Sequence, residues 1–161
     1  MSPQKTQLAQ LLPISSSDSE NLDQSHGRYP NMDSDLLADV RMQLKHNLKT
    51  SRVTIWKGRV VPVCAICKGG ITGGMEMHEA LFTRGNVRGN KDLLVKIMVR
   101  ENCLLLHPGD CHKRAHTKLG RLICLEYLER VEGAKAIKDF LVMMNELMVT
   151  ELGSERLSEG E

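Results

Sequence analysis

Aromatic side chains are scarce in this chain, which has one Trp, two Tyr and two Phe among its 161 residues. A hydrophobic core must therefore depend on Leu, Ile, Val and Met. Because that supply is thin for a free-standing fold, we expect a structural metal ion to contribute much of the folding energy. No apolar run approaches the roughly 18 residues of a membrane-spanning helix, so no membrane partner is expected.

A secretory signal is also lacking, since residues 1–10 are polar and include one Lys. The five cysteines are an odd number and form no secreted disulfide framework. We therefore expect a cytoplasmic location in which the thiolates bind metal. The length of the chain predicts one domain with appendages.

The net charge of +2 conceals a strong segregation of charge along the chain. Residues 51–121 carry 13 basic and 5 acidic side chains, whereas residues 122–161 carry 4 basic and 9 acidic ones. A local basic excess suits a polyanion such as nucleic acid, although it is also typical of a solvated basic face.

The ends of the chain differ from its middle. Residues 1–32 are rich in Ser, Asp, Gln and Asn and predict a disordered arm. Residues 33–50 predict an accessory helix that docks on the domain or binds a partner. Residues 121–150 predict two C-terminal helices broken near Gly133, and residues 151–161 predict a disordered tail.

The middle of the chain alternates between extended and turn-forming segments. We expect an extended stretch with a turn at Gly58, a strand that ends near His78, a return strand over 104–106 and a helix from Asp110 or Cys111. The apolar residues 93–99 fit either a strand or a single helical turn.

Potential metal ligands are concentrated in this middle region. Cys64 and Cys67 form a C-x-x-C pair, and the segment Asn102-Cys-Leu-Leu-Leu-His107-Pro-Gly-Asp-Cys111-His112-Lys-Arg-Ala-His116 follows downstream. The stretch Met75-Glu-Met-His78-Glu79 lies between them. Two pairs of soft donors are enough for a tetrahedral zinc site. Cys103 and Cys124 lie in apolar runs and are expected to be core residues.

This order of motifs resembles the HNH endonucleases over residues 60–118. The resemblance implies an α+β fold in which a small zinc-stapled ββα-metal (His-Me finger) core occupies residues 51–120. Family members usually have a second C-x-x-C pair that starts five residues after the Asn. Here His107 and Cys111 stand in its place, so the implied structural zinc ligands are Cys64, Cys67, His107 and Cys111.

The resemblance also implies a catalytic centre. His78 takes the place of the first of two adjacent family residues, which are usually His-His or Asp-His, and Glu79 takes the second. In that register His78 binds the catalytic ion, Mg²⁺ or another divalent cation, and Glu79 is the base or a second ligand. In the other register His78 is the base and Met77 fills the ligand position. Asn102 matches the family Asn.

His112 matches the final family His, a metal ligand, and His116 lies four residues later on the same side of a helix. His116 fits a third ligand of the catalytic ion, a phosphate contact or a residue with no role at the site. Basic side chains near these motifs are expected to bind DNA phosphates, namely Arg84, Arg88, Lys113, Arg114, Lys118 and Arg121. The implied reaction is hydrolysis of DNA phosphodiesters to 3′-hydroxyl and 5′-phosphate ends.

Two other functions remain open. One is a non-catalytic, zinc-stabilised DNA-binding or phage assembly module that keeps the finger but has lost the base. The other is docking through the acidic C-terminal helices on a phage packaging or recombination protein. The segment 125–140 is similar to the one that follows the finger in phage HNH proteins, so we expect action in the cytosol of a host cell.

Overall fold

The computed structural model describes residues 34–158, and side chains are described for residues 36–153. The described chain has five helices and two two-stranded antiparallel sheets, which confirms the predicted α+β class. The arm predicted over 1–32 and residues 159–161 lie outside the described part. None of the described helices is both long enough and apolar enough to cross a membrane.

Helix α1 spans Ser34–Ser51, close to the accessory helix predicted from the sequence. Its apolar residues recur every three or four positions and therefore share one side of the helix. Leu44 and Leu48 are buried, and Leu37 and Val40 pack against the same core. The helix thus docks on the domain, which is one of the two alternatives that the sequence left open.

Strands β1 (Val53–Trp56) and β2 (Arg59–Pro62) form a hairpin. Its two turn residues, Lys57 and Gly58, have φ angles of 49° and 74°, as a two-residue hairpin turn of type I′ requires. The hairpin lies directly against Gly70, where an added Cβ would come within 2.6 Å of Trp56 and Val61. Only glycine allows this close approach.

Strands β3 (Glu76–Glu79) and β4 (Cys103–Leu106) form the second antiparallel pair, with Glu76 opposite Leu106 and Glu79 opposite Cys103. All four residues of β4 are buried. Helix α3 (Asp110–Ala115) follows β4, so the described chain contains a ββα unit. This unit places β3 next to the start of α3.

Helix α2 (Lys91–Ile97) lies within the connection between β3 and β4. Its N-cap is Asn90, whose side chain accepts a hydrogen bond from the backbone N–H of Leu93 at 3.1 Å. Leu93 and Ile97 are fully buried. The apolar segment that fitted a strand or a helical turn is therefore a short, buried helix.

Helices α4 (Lys118–Glu132) and α5 (Ala134–Ser158) complete the described chain. They are separated at Gly133, whose φ of 94° lies outside the range that most residues adopt. The tail predicted as disordered from residue 151 is helical as far as Ser158. Leu152 still packs against the core there, and this contact extends the helix beyond the expected end.

A buried cluster of charges ties these elements together. The Arg52 guanidinium donates to the carbonyl oxygen of Cys103 at 2.5 Å and to that of Arg100 at 2.6 Å. It also donates to Oε1 of Glu132 at 2.8 Å, and the Arg100 guanidinium donates to the same oxygen at 2.9 Å. The cluster therefore joins the residue before β1, the start of β4 and the end of α4.

Candidate metal centres

The four side chains expected to bind structural zinc converge in the fold. One ligand atom from each of Cys64, Cys67, His107 and Cys111 lies within 4.8 Å of all the others. The distance from Cys67 Sγ to His107 Nδ1 is 3.4 Å. A tetrahedral zinc ion with ordinary bond lengths would hold a sulfur and a nitrogen about 3.5 Å apart. The cluster can therefore bind a metal ion such as zinc.

The orientation of His107 is fixed by a hydrogen bond on the far side of its ring. Nε2 lies 3.3 Å from the carbonyl oxygen of Gly70. Because a carbonyl can only accept, Nε2 must carry the proton, and the lone pair is left on Nδ1. Nδ1 is the atom that faces Cys67, so the tautomer suits metal binding.

The loop that carries Cys64 and Cys67 is anchored by its backbone. The Cys64 N–H donates to Gly69 O at 2.9 Å, and the N–H of Ala65 donates to Leu105 O at 3.0 Å on strand β4. Both Cys64 and Ala65 are fully buried. The position of the first cysteine pair relative to β4 is thus set by main-chain hydrogen bonds.

The thiols of the cluster differ in how readily they ionise. Burial favours the neutral Cys64 thiol, but hydrogen bonds from the backbone at Cys67 and His107 outweigh it and lower the pKa of Cys64 to about 7. Burial, together with the neighbouring Cys64 and Cys67 thiols, raises the pKa of Cys111 to about 12. Three thiolates this close need a cation between them, and a bound zinc ion would supply one.

A second cluster consists of His78, His112 and His116, whose ligand atoms also lie within 4.8 Å of one another. Strand β3 contributes His78, helix α3 contributes His112, and His116 is the C-cap of α3. The Nε2 atoms of His112 and His116 are 3.2 Å apart. Two imidazoles on one tetrahedral ion would be separated by about 3.4 Å. The trio therefore fits a single metal ion.

His78 is buried, unlike the other two members of the trio. Burial, reinforced by the nearby His116, His112 and Arg121, lowers the pKa of His78 to about 3. Burial and His112 also lower the pKa of His116. At neutral pH His78 is consequently a neutral imidazole with a free lone pair, the form that binds metal.

Glu76 contacts this trio and was missed by the sequence analysis. Its Oε2 atom is buried and faces Nδ1 of His112. This contact leaves Nε2 of His112 to face His116. A signal was available in the sequence, because Glu76 lies two residues before His78 and alternate strand residues share a face.

Glu79 is not brought into the trio. Its Oε1 atom is 2.6 Å from Nη1 of Arg41 and 3.6 Å from Nε of Arg84. Glu79 follows His78 directly, so the pleat of β3 directs the two side chains to opposite faces. The carboxylate still lines the cavity of about 720 Å³ in which the histidines lie.

The Asn102 side chain makes four hydrogen bonds to the backbone of the connection between β3 and β4. Its Oδ1 accepts from the backbone N–H groups of Leu81 and Phe82 at 2.9 and 2.8 Å. Its Nδ2 donates to the carbonyl oxygens of Phe82 and Ile97 at 2.8 and 2.9 Å. The fully buried amide thus fixes the connection between β3 and β4, and it has no described contact with the trio.

The basic residues expected at DNA differ in their distance from the trio. Arg84 lines the cavity, and Arg121 acts electrostatically on His78 and His116. Arg121 is brought close because α4 starts against the end of α3, where a Cβ on Gly120 would lie 1.8 Å from Arg114 O. The remaining four are exposed and lie outside the cavity lining, namely Arg88, Lys113, Arg114 and Lys118.

Cys103 and Cys124 are core residues, as the sequence predicts. Both are fully buried, and neither belongs to either metal-binding cluster. Burial raises the pKa of each thiol to about 12, so both remain protonated at neutral pH.

Comparisons with protein-family models, with curated proteins and with solved structures find no match to this chain. A functional assignment therefore rests on the two clusters and the charged cavity beside the trio.

Proposed function

We propose that the chain is an HNH-type endonuclease that uses a divalent ion to hydrolyse DNA phosphodiester bonds. The observation that carries this proposal is the convergence of His78, His112 and His116 on one point of the ββα unit. A separate Cys3His cluster is attached to the same unit, because His107 directly follows β4 and the N–H of Ala65 donates to Leu105 O on that strand. A structural metal centre next to an imidazole trio is the arrangement that the HNH resemblance implies.

The donor set indicates which ion the trio would hold. Three imidazoles suit zinc, nickel, copper or iron, whereas magnesium prefers carboxylate, carbonyl and water oxygens. We therefore propose that the divalent ion at His78, His112 and His116 is a transition-metal ion and not Mg²⁺. When bound, such an ion supplies Lewis-acid polarisation of a phosphate oxygen and stabilisation of the leaving 3′-oxygen.

The other side chains of the cavity have supporting roles in this proposal. Glu76 holds the His112 ring in the orientation that leaves Nε2 free for the ion. Arg84 and Arg121 provide positive charge for backbone phosphates. Glu79 is the proposed acceptor of a proton from the attacking water, because it is a carboxylate in the same cavity as the trio.

A second function, a non-catalytic DNA-binding module, is favoured by one observation. The Glu79 carboxylate is bound by Arg41 and Arg84 instead of facing the trio. In such a module both metal centres would be structural, and DNA would bind without being cleaved.

Nicking of supercoiled plasmid separates the two functions. Zinc-loaded protein would be incubated with plasmid and, in turn, Mg²⁺, Mn²⁺, Ni²⁺ or added Zn²⁺. The endonuclease proposal predicts ion-dependent nicking by the parent and by Lys138→Ala, an exposed change on α5, but not by His116→Ala. Binding of plasmid without nicking under every ion would favour the non-catalytic module.

A further inference from the structure

Two basic residues of helix α1 reach into the cavity that holds the trio. Arg41 and Lys45 are four residues apart and therefore share one side of the helix. Arg41 donates to the carbonyl oxygen of Met77 at 3.4 Å, and Lys45 donates to that of Met75 at 3.2 Å. These carbonyls belong to the unpaired edge of β3 and the residue before it, so α1 forms one wall of the cavity.

The strongest contact on this wall joins Arg41 to Glu79. Arg41 Nη1 lies 2.6 Å from Glu79 Oε1, and the Arg84 Nε approaches the same oxygen at 3.6 Å. The carboxylate side chain is only 14% exposed, whereas those of Arg41 and Arg84 are 36% and 46% exposed. Both guanidinium groups can therefore be reached from solvent, and Glu79 lies beneath them.

A guanidinium binds carboxylate and phosphate with the same forked geometry, so the two anions can replace each other on one Arg. The cavity lining also carries Lys45, so three cationic side chains stand against two carboxylates there, Glu76 and Glu79. An incoming phosphate would meet an excess of positive charge at this place.

We propose that Arg41 binds a phosphate of the DNA backbone and that Glu79 occupies the Arg41 guanidinium when DNA is absent. This inference rests on the proposed function, which makes DNA the substrate. Helix α1 is then part of the substrate-binding surface and not only an accessory element. When a DNA phosphate replaces Glu79 on the Arg41 guanidinium, the Glu79 carboxylate is also released inside the cavity that contains the trio.

Binding of a fluorescein-labelled 20-base-pair duplex tests the exchange, with full-length zinc-loaded protein and no added divalent ion. Arg41→Gln should weaken binding about five- to tenfold at 0.1 M salt and reduce the slope of log Kd against log salt by about one. The matched control Lys138→Gln removes the same charge from exposed α5 and should change neither quantity. Melting temperature and zinc content identify any variant that fails to fold, and Arg41→Met, which also removes the charge, then replaces Arg41→Gln.

A double-mutant cycle separates exchange from simple charge repulsion. Glu79→Gln should tighten duplex binding at least threefold in the parent, because Arg41 is released. The same substitution should have a clearly smaller effect in the Arg41→Gln background, where only the longer Arg84 contact of 3.6 Å is left to release. Equal tightening in both backgrounds would show that Glu79 only repels DNA, and the exchange would be ruled out.

Failure of this inference can be told apart from failure of the proposed function. If Arg41→Gln binds the duplex as Lys138→Gln does, Arg41 is not a phosphate ligand, whether or not the parent cleaves DNA. If the cycle shows the predicted coupling but the parent cleaves nothing with any ion, Arg41 binds phosphate and the hydrolytic proposal is wrong.

Discussion

Glu76 faces Nδ1 of His112, on the opposite side of the ring from the Nε2 atom that approaches His116. A carboxylate next to one ring nitrogen fixes the proton there and leaves the other nitrogen free as a metal ligand. The carbonyl oxygen of Gly70 does the same for His107 in the Cys3His cluster. Each candidate metal centre therefore contains a histidine whose tautomer is set by a neighbouring oxygen.

Removing the Glu76 carboxylate should weaken ion binding at the trio without affecting the zinc cluster. We expect Glu76→Ala to lower Ni²⁺ affinity about 10- to 100-fold, the usual effect of losing such a partner. Glu76→Gln keeps an oxygen acceptor, so its Ni²⁺ affinity should lie between that of Glu76→Ala and that of the parent. Calorimetric titration of protein that holds one zinc ion per chain measures this, with Glu146→Ala on α5 as the control. Unchanged affinity in Glu76→Ala would show that this carboxylate does not orient His112.

The Cys3His cluster should hold one zinc ion that the fold requires. Cys64→Ser removes the most deeply buried ligand, so this variant should lose stoichiometric zinc and unfold at a much lower temperature. Cys124→Ala is the matched control, because Cys124 is buried but lies outside the cluster. Mass spectrometry under native conditions and thermal melting measure both effects. A Cys64→Ser protein that melts with the parent would contradict a structural zinc site.

Asn102→Ala should be strongly destabilising, because it removes four hydrogen bonds from a buried connection. Leaving the backbone groups of residues 81, 82 and 97 without their partner should cost about 4 kcal/mol in total. Urea unfolding measures the change, and the exposed Asn47→Ala on α1 should stay within about 0.5 kcal/mol of the parent. If Asn102→Ala lowers the free energy of unfolding by less than about 1 kcal/mol, the amide is not needed to hold the connection between β3 and β4.

Glu132→Gln should destabilise the fold in a pH-dependent way. Partial burial disfavours the Glu132 carboxylate, but hydrogen bonds from Arg100 and Arg52 outweigh it and lower its pKa. The ionised form therefore stabilises the fold above the ordinary Glu pKa of about 4.3. This stabilisation is lost as the pH falls through the lowered value.

At pH 7 the free energy of unfolding of Glu132→Gln should be about 3 kcal/mol lower than that of the parent, since the buried Arg52 guanidinium is left without its carboxylate. This difference in unfolding free energy between the parent and Glu132→Gln should be constant down to about pH 5 and should become smaller only at lower pH. Denaturant unfolding at several pH values measures it, with the exposed Glu146→Gln as control. A gap that widens on acidification would contradict the assigned direction of the pKa shift.

Local patterns predicted the ligand pairs, and the resemblance to the HNH endonucleases implied how the pairs combine into metal clusters. The members of each pair are close in sequence, as in the C-x-x-C spacing and the four-residue step from His112 to His116, whereas Cys67 and His107 are 40 residues apart. Such groups are brought together by a knuckle, a strand pair and one helical turn. The alternation of β3 would also have assigned Glu76 to the face of His78.

Contacts between distant elements could not be predicted in this way. The sequence shows that α1 has an apolar side, but not which surface that side covers, so the approach of Arg41 to Glu79 has no local signal. The same limit applies to Arg52 and Glu132, which are 80 residues apart in the chain. In α5, Leu152 continues the apolar spacing of the helix, but the sequence does not show which surface buries this side chain. The end of the helix was therefore predicted too early.

The most direct test of the endonuclease proposal is single-turnover cleavage of a 5′-labelled duplex by parent and His112→Ala protein. His112 is half-buried, so its truncation should leave the zinc ion of the Cys3His cluster and the melting temperature unchanged. Loss of an ion worth about 4 kcal/mol to the transition state should lower the cleavage rate by about three orders of magnitude. The parent should release products with 3′-hydroxyl and 5′-phosphate ends. Cleavage by His112→Ala at the parent rate, with the same ion requirement, would contradict a catalytic role for the trio.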